Sequence, residues 1–487
     1  MLAQSAMLRG GLVRRLALNA VALAAGGVIA QLCFLAVEAL VARRLGRADY
    51  GVTSTVYAIS FTALYFVEFG MGNKLVQDGA RDPRCIPVLL GTTFALKLIL
   101  AGLVYAVLLL ALPALGYGAK IVDYFAIFFA YAVLFALQES LASVNSARLQ
   151  MHINAAFQAA TPLAVLAFVA IAMVGDVSLS GIAWSYVLAC LLVSAVWTWK
   201  TFRAERPRLE LARTPEIIRG SWHYGLSGLL YQMSYRVEVI ALSLFGSMVE
   251  AGLFAAADRL ADIAMKVSIL GSRVVSPVLF RQSRHDRERY VRSCRMVVRG
   301  ASILGATGGL MLAGLAEPLM VGLFGAAFAQ SALALSILAP SIALRFATSG
   351  LRLVLTSSDL HGRRVGGLAV GVGAAAALNL ALIPRFGIAG AALARLSGDF
   401  AQIAVLLASP DLPLPRRLLL AWMGVPIVLA AVAHGGASLL THSPWLHLAI
   451  ALPLFTALLL STGTVRPSEL RALLERRNED TSEHEPL

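Results

Sequence analysis

Two rows of charged residues stand in apolar surroundings at helical spacing. Asp258, Asp262, Lys266 and Arg273 follow one another at steps of four, four and seven. Arg345 and Arg352 are seven apart and share a face with Ser341, Thr348 and Ser349. Lys97, Arg236, Arg259 and Arg395 are further cations inside apolar runs, and Glu38, Glu68, Glu139, Glu238 and Asp399 are further carboxylates. At the centre of a bilayer each such charge costs at least about 2.5 kcal/mol unless it faces protein or water, so these faces should line an internal tract. A tract of cations and hydroxyls suits an anionic ligand with many hydrogen-bonding groups. Arg236, Arg345 and Lys97 are the first candidates for holding its charged end, with Lys266, Arg259 and Arg352 as second choices. In the competing reading the same residues are internal salt-bridge partners, as Asp262 would be for Lys266, or cations reaching the interface, as Arg273 would near a helix end. Glu38, Glu238 and Asp262 are candidates for coupling a proton or sodium ion, and Glu38 and Glu238 also suit partnership with Arg236.

No catalytic group or metal ligand stands out. Cys33, Cys85, Cys190 and Cys294 are scattered, with no C-x-x-C pair and no histidine cluster nearby. Neither a disulfide framework nor a metal site is implied, and no cofactor is expected. His152, His223, His285 and His361 fall at one set of span ends and His434, His442 and His447 near the last outer loop; none is assigned a role.

The elements that must position these residues are transmembrane helices. The 487 residues are 59% apolar and 14% charged, with a mean hydropathy of +0.77, against about a quarter charged in an ordinary globular domain. Apolar runs long enough to cross about 30 Å of hydrocarbon recur from end to end, and in lipid such runs satisfy their own backbone hydrogen bonds as helices. The short alternating segments of a β-barrel are absent. Fourteen spans are expected, near 17–42, 50–73, 86–112, 122–146, 154–175, 179–200, 220–246, 250–279, 295–322, 328–357, 365–384, 388–408, 418–437 and 446–464. Arg9, Arg14 and Arg15 resemble a signal-peptide start, but the apolar run behind them continues to Val41, too long for one. In alternate loops, 28 of the 41 Lys and Arg residues fall on one side of the membrane and 5 on the other, with 8 within spans. That bias places both termini in the cytoplasm. It also accounts for the net charge of +14 without nucleic acid, the attracted partners being anionic membrane lipids.

The chain repeats itself. Gly27, Gln31, Glu38, Gly46 and Gly51 reappear as Gly228, Gln232, Glu238, Gly246 and Gly252 at offsets of 200 or 201, and Gly181-Ile-Ala reappears as Gly387-Ile-Ala at 206. A duplication is therefore expected: an N-terminal lobe of six helices over 1–200, a charged cytoplasmic linker with two prolines over 201–219, and a second six-helix lobe over 220–410. Two more spans over 411–464 and a cytoplasmic tail over 465–487, disordered by composition, complete it. Six spans separate the copies, an even number, so both have one orientation. Within the repeat Leu35 aligns with Arg236, so the second copy carries a cation where the first is apolar.

Four segments carry a family resemblance. Asn379-Leu-Ala-Leu-Ile-Pro384-Arg-Phe-Gly387-Ile-Ala-Gly390-Ala-Ala resembles the N-x-x-L-I-P-x-F-G-I-x-G-A-A hairpin of the Wzx-type polysaccharide flippases, in the multidrug/oligosaccharidyl-lipid/polysaccharide (MOP) superfamily. Ala42-Arg-Arg-Leu-Gly46-Arg-Ala-Asp-Tyr50-Gly51 resembles A-R-x-L-G-x-x-x-Y-G of the same family. Ala251-Gly-Leu-Phe-Ala-Ala-Ala-Asp-Arg-Leu260 resembles V-G-x-Y-x-A-A-x-R-L, and Glu317-Pro-Leu-Met-Val-Gly-Leu-Phe-Gly325 resembles E-P-L-I-x-L-L-F-G. Two positions depart from the pattern: Phe254 replaces a Tyr, and Arg236-Val-Glu238 replaces Arg-x-Asp. The motif glycines and Pro384 also have a direct physical use, in tight turns and close helix approach.

The resemblance implies an all-α polytopic membrane protein of two six-helix lobes, in the V-shaped MATE/MurJ-like arrangement, plus two C-terminal helices. It implies a flippase of the bacterial inner membrane that performs no catalysis. Such a protein moves undecaprenyl-diphosphate-linked oligosaccharide repeat units to the outer leaflet by alternating access, for exopolysaccharide, capsule or O-antigen biosynthesis. Polysaccharide polymerase and chain-length machinery would be its partners. The diphosphate would pair with the cations above while the sugars contact Ser, Thr, Gln and Tyr. A lipid II flippase and a multidrug or cation antiporter of the same superfamily are alternatives, the antiporter disfavoured by fourteen spans and eight intramembrane cations. A membrane glycosyltransferase or polymerase would need a sizeable outer loop, and the outer loops here are short. The sugar, the coupling ion and the oligomeric state stay open.

Overall fold

The computed structural model describes residues 2–175, 178–282, 287–358, 360–410, 412–441 and 443–465, and every regular element among them is helical. In chain order they are α1 (Leu2–Glu68), α2 (Met71–Arg81), α3 (Ile86–Ala114), α4 (Ala119–Ala147), α5 (Met151–Ala172), α6 (Leu179–Glu205) and α7 (Thr214–Phe245). There follow α8 (Met248–Gln282), α9 (Arg287–Gly314), α10 (Ala316–Phe324), α11 (Ser331–Ser357), α12 (His361–Ala408), α13 (Arg416–Leu440) and α14 (Pro444–Ser461). The tail expected over 465–487 falls, beyond Val465, outside the described residues.

Among the described residues ten helices are long and apolar enough to cross a membrane. Two of these are double: α1 breaks at Gly46 (φ 74°, ψ 179°) and α12 at Gly387 (φ 51°, ψ −126°). The charge-bearing helices α7 and α8 are not among the ten. Counting both arms of α1 and α12, and adding α7 and α8, recovers the fourteen expected spans.

Two boundaries differ from expectation, each for a local reason. The second span, expected to reach 73, ends at Glu68, because Phe69 and Gly70 take φ of 43° and 75° and turn the chain into α2. That short helix buries Met71, Gly72, Leu75 and Gly79 and leaves Asn73 and Arg81 exposed. The ninth span, expected to reach 322, stops at Gly314, and α10 starts afresh at Ala316. Pro318 then lies in the first turn of α10, where backbone N–H groups have no helical acceptor to lose.

The chain divides into two compact units. Unit one comprises Met1–Arg259, Leu323–Phe328 and Ala375–Ala391, and unit two comprises Leu260–Gly322, Ala329–Ala374 and Ala392–Leu487. In unit one, Met71, Leu75, Ile86, Leu90, Leu141 and Trp197 form a core under α2, and Phe157 stacks on Trp197 with ring centroids 4.3 Å apart. In unit two the small residues Ala306, Ala430, Ala433, Ala437 and Ala451 bring α9, α13 and α14 close together, the usual means of packing helices in lipid.

The repeated glycines serve two different ends. Gly46 has open space where a side chain would go but a backbone conformation reserved for glycine. Gly51 is the reverse: a methyl group there would lie 1.7 Å from the carbonyl oxygen of Met248, and one on its repeat partner Gly252 would lie 2.4 Å from that of Arg47. The two copies of the duplicated segment thus touch each other, backbone to backbone, at their equivalent glycines.

Candidate functional site

In unit one, Tyr57 on the second arm of α1 gathers two of the candidate cations. The guanidinium carbons of Arg236 and Arg259 lie 5.2 and 5.7 Å from its ring centroid, within cation–π reach. Arg259 pairs with Glu38 at 2.5 Å, and the Tyr50 hydroxyl donates to the other Glu38 oxygen at 2.7 Å. Arg236 lies 3.6 Å from Asp258. Glu38 is 8% exposed, and Asp258 is fully buried. Glu38, Tyr50, Tyr57, Arg236 and Arg259, together with Thr53, Ser54, Phe128 and Tyr186, line a cavity of about 20 Å³, room for roughly one water molecule. Glu38 is hydrogen-bonded by both Arg259 and Tyr50, whereas Arg236 and Asp258 face each other as an ion pair beyond hydrogen-bond distance. The cation that Glu38 holds is Arg259; Glu238 is also buried, at 1% exposure. Tyr50→Phe removes one hydrogen bond from a buried carboxylate and is expected to cost ~1.5–3 kcal/mol. The shift in thermal unfolding midpoint of the detergent-purified protein measures it.

Lys97, on α3, sits apart from this network with no exposed surface. Its ammonium pairs with Glu68 and donates to Ser140 Oγ at 2.5 Å and to the Ala136 carbonyl at 2.8 Å. The second oxygen of Glu68 accepts from the Gly72 backbone N–H at 2.9 Å, joining α1, α2, α3 and α4 through one ion pair.

Unit two has its own charge centre. Arg345 Nε donates to both oxygens of Asp399 at 3.0 Å, and the Ser341 hydroxyl donates to the same carboxylate. Ser268 and Ser349 share a hydroxyl hydrogen bond of 2.5 Å. The row expected along one face of α8 is divided between environments: Asp258 and Asp262 are buried, Lys266 is exposed, and the Arg273 side chain lies outside the described residues. Arg352 is partly buried near the end of α11.

In the sequence the counter-ions Glu68 and Asp399 stand out only as carboxylates within spans, and Asp258 only as part of the row along α8. None stands three or four residues from the cation it meets, so no helical spacing could pair them. His434 and His447, assigned no role, meet across α13 and α14 with ring nitrogens 3.0 Å apart. Among the described residues no three His, Cys, Asp or Glu side chains converge as metal ligands would.

A family model described as "polysaccharide biosynthesis protein" matches residues 16–283, more than half of the chain. The chain belongs to the polysaccharide biosynthesis protein family. Its many long apolar helices make it a multi-pass membrane protein, and its fold is shared with solved structures of flippases and transporters. A structure of the lipid II flippase MurJ in an inward closed conformation superposes with a TM-score of 0.71 at 12% identity, over 90% of this chain and 98% of that one. An inward-facing MATE-family multidrug resistance transporter of the MOP superfamily gives 0.66 at 15% identity, over 80% and 96%. In sequence the chain is 29% identical to the probable flippase AglR of Haloferax volcanii over 196 residues, 38% of this chain and 40% of that protein. The chain therefore spans about two fifths of the length of this curated relative.

Proposed function

We propose that this member of the family is a flippase. It carries undecaprenyl-diphosphate-linked oligosaccharide repeat units across the bacterial inner membrane by alternating access, for polysaccharide biosynthesis, with both termini cytoplasmic and no covalent chemistry of its own. The observation that carries the reading is the family match over residues 16–283 on a fold also built by a lipid flippase. Support comes from charge held inside an otherwise apolar membrane protein: Arg236, Arg259 and Arg345 are each poised against a carboxylate, in networks able to trade that partner for a diphosphate. Glu38, Glu238 and Asp262 are the carboxylates on which proton or sodium coupling would act.

The test is direct. Purified protein in liposomes should deliver labelled lipid-linked oligosaccharide to the opposite leaflet without changing its chain length; elongated product would sink the reading in favour of a polymerase. Correctly inserted Arg236→Ala and Arg345→Ala variants should each lower that rate by roughly tenfold or more, the worth of one charge-assisted contact to phosphate. Wild-type rates in both would remove these residues as headgroup ligands.

A further inference from the structure

The polar face of α11 ends differently from the way it begins. Ser341, Arg345, Ser349, Arg352 and Thr356 follow at steps of four, four, three and four and fall in one narrow stripe. At its start the cation is neutralised, Arg345 by Asp399. At its end Thr356 stands one turn beyond Arg352 and donates back to the Arg352 carbonyl at 2.7 Å. Arg364, from the first turn of α12, donates to the Thr356 hydroxyl from Nη1 at 3.3 Å. Through this bond the Arg364 guanidinium reaches the face of α11 that carries Arg352, one helical turn away. Both side chains are partly buried, and among the described residues neither forms an ion pair with a carboxylate.

Two guanidinium groups on one face, with no carboxylate partner among the described residues, repel each other, and an anion between them relieves that repulsion. Depth narrows the choice of anion. The 27 residues of α11 are about 40 Å long at 1.5 Å per residue, against about 30 Å of hydrocarbon. Its last turns, with Arg352 and Thr356, therefore reach the headgroup layer, and α12 starts from the same level. Phosphate is the anion abundant at that depth, and its oxygens match the guanidinium fork. The first N–H groups of α12, which have no side-chain cap, add a partial positive charge. We propose that Arg352, Thr356 and Arg364 form a binding site for the phosphate group of a membrane lipid, a chemistry common to resident phospholipids and to lipid diphosphates. The site does not depend on the transport reading.

Native mass spectrometry of the full chain in detergent, titrated with phosphatidylglycerol, undecaprenyl diphosphate or phosphatidylcholine, tests it. R352Q/R364Q should weaken binding of at least one of the two anionic lipids by about tenfold or more. R81Q/R84Q, which removes the same charge from exposed positions, should stay within about twofold of wild type. R352K/R364K should recover part of the loss, and an unchanged unfolding midpoint in R352Q/R364Q separates loss of the site from loss of the fold. Equal losses in R352Q/R364Q and R81Q/R84Q, or wild-type binding in R352Q/R364Q, overturn the proposal. So does inorganic diphosphate bound as tightly as the lipids, since the site would then belong to a soluble anion. The lipid whose binding falls most identifies the source of the phosphate.

Discussion

Lys97→Met is expected to destabilise the protein by about 3–5 kcal/mol, the usual result of removing one partner from a buried ion pair. The cost arises from what remains. Glu68 keeps a side chain only 18% exposed with its cation gone, and the Ser140 hydroxyl and Ala136 carbonyl lose a shared donor. Lys97→Met/Glu68→Gln should regain most of the loss, because the amide is neutral and its oxygen can still accept from the Gly72 N–H. Thermal unfolding of the two variants in detergent decides the matter. A single variant as stable as wild type would mean that the ion pair contributes nothing, whereas equal losses in single and double variants would trace the effect to packing.

Gly51→Ala is expected to be as damaging, for a reason unrelated to charge. The added methyl would sit 1.7 Å from the Met248 carbonyl oxygen, and that oxygen belongs to backbone with no rotamer through which to escape. The second arm of α1 and the start of α8 would have to separate by more than 1 Å, so a loss above ~4 kcal/mol is expected, seen as failure to accumulate folded protein. Gly46→Ala is the control. Its methyl meets nothing within 4 Å, and only the strain of a glycine-type backbone remains, ~1–3 kcal/mol. If Gly46→Ala proves worse than Gly51→Ala, the close approach of the duplicated segments is not what matters there.

Much of the architecture could be read from residues alone, because lipid leaves few choices. Hydropathy located the helices, and the break between the first two spans fell at Gly46, which the repeat had already singled out. The two misplaced ends, at Glu68 and Gly314, lie where the chain turns a few residues before its apolar run ends, a shift finer than hydropathy resolves. The charge centres were legible by half. Arg236, Arg259, Arg345 and Lys97 were marked by their presence in apolar runs, but their partners Asp258, Glu38, Asp399 and Glu68 depend on which helices pack together. Glu38 illustrates the limit: its place in the repeat leaves ion coupling and partnership with Arg236 both open, and it is Arg259, 221 residues away in sequence, that holds it. A pairing of that kind is set by tertiary contact and leaves no period in a single chain.

The ion pair between Glu68 and Lys97 also bears on how the protein enters the membrane. Lys97 is the twelfth of 29 residues in α3, close to mid-span, where a lysine opposes insertion by about 2.5–3.5 kcal/mol. Its counter-ion ends the preceding span, and the short α2 lies between them. Synthesis therefore delivers the carboxylate first and the ammonium one helix later, so the two segments can pass from ribosome to bilayer as a neutralised hairpin.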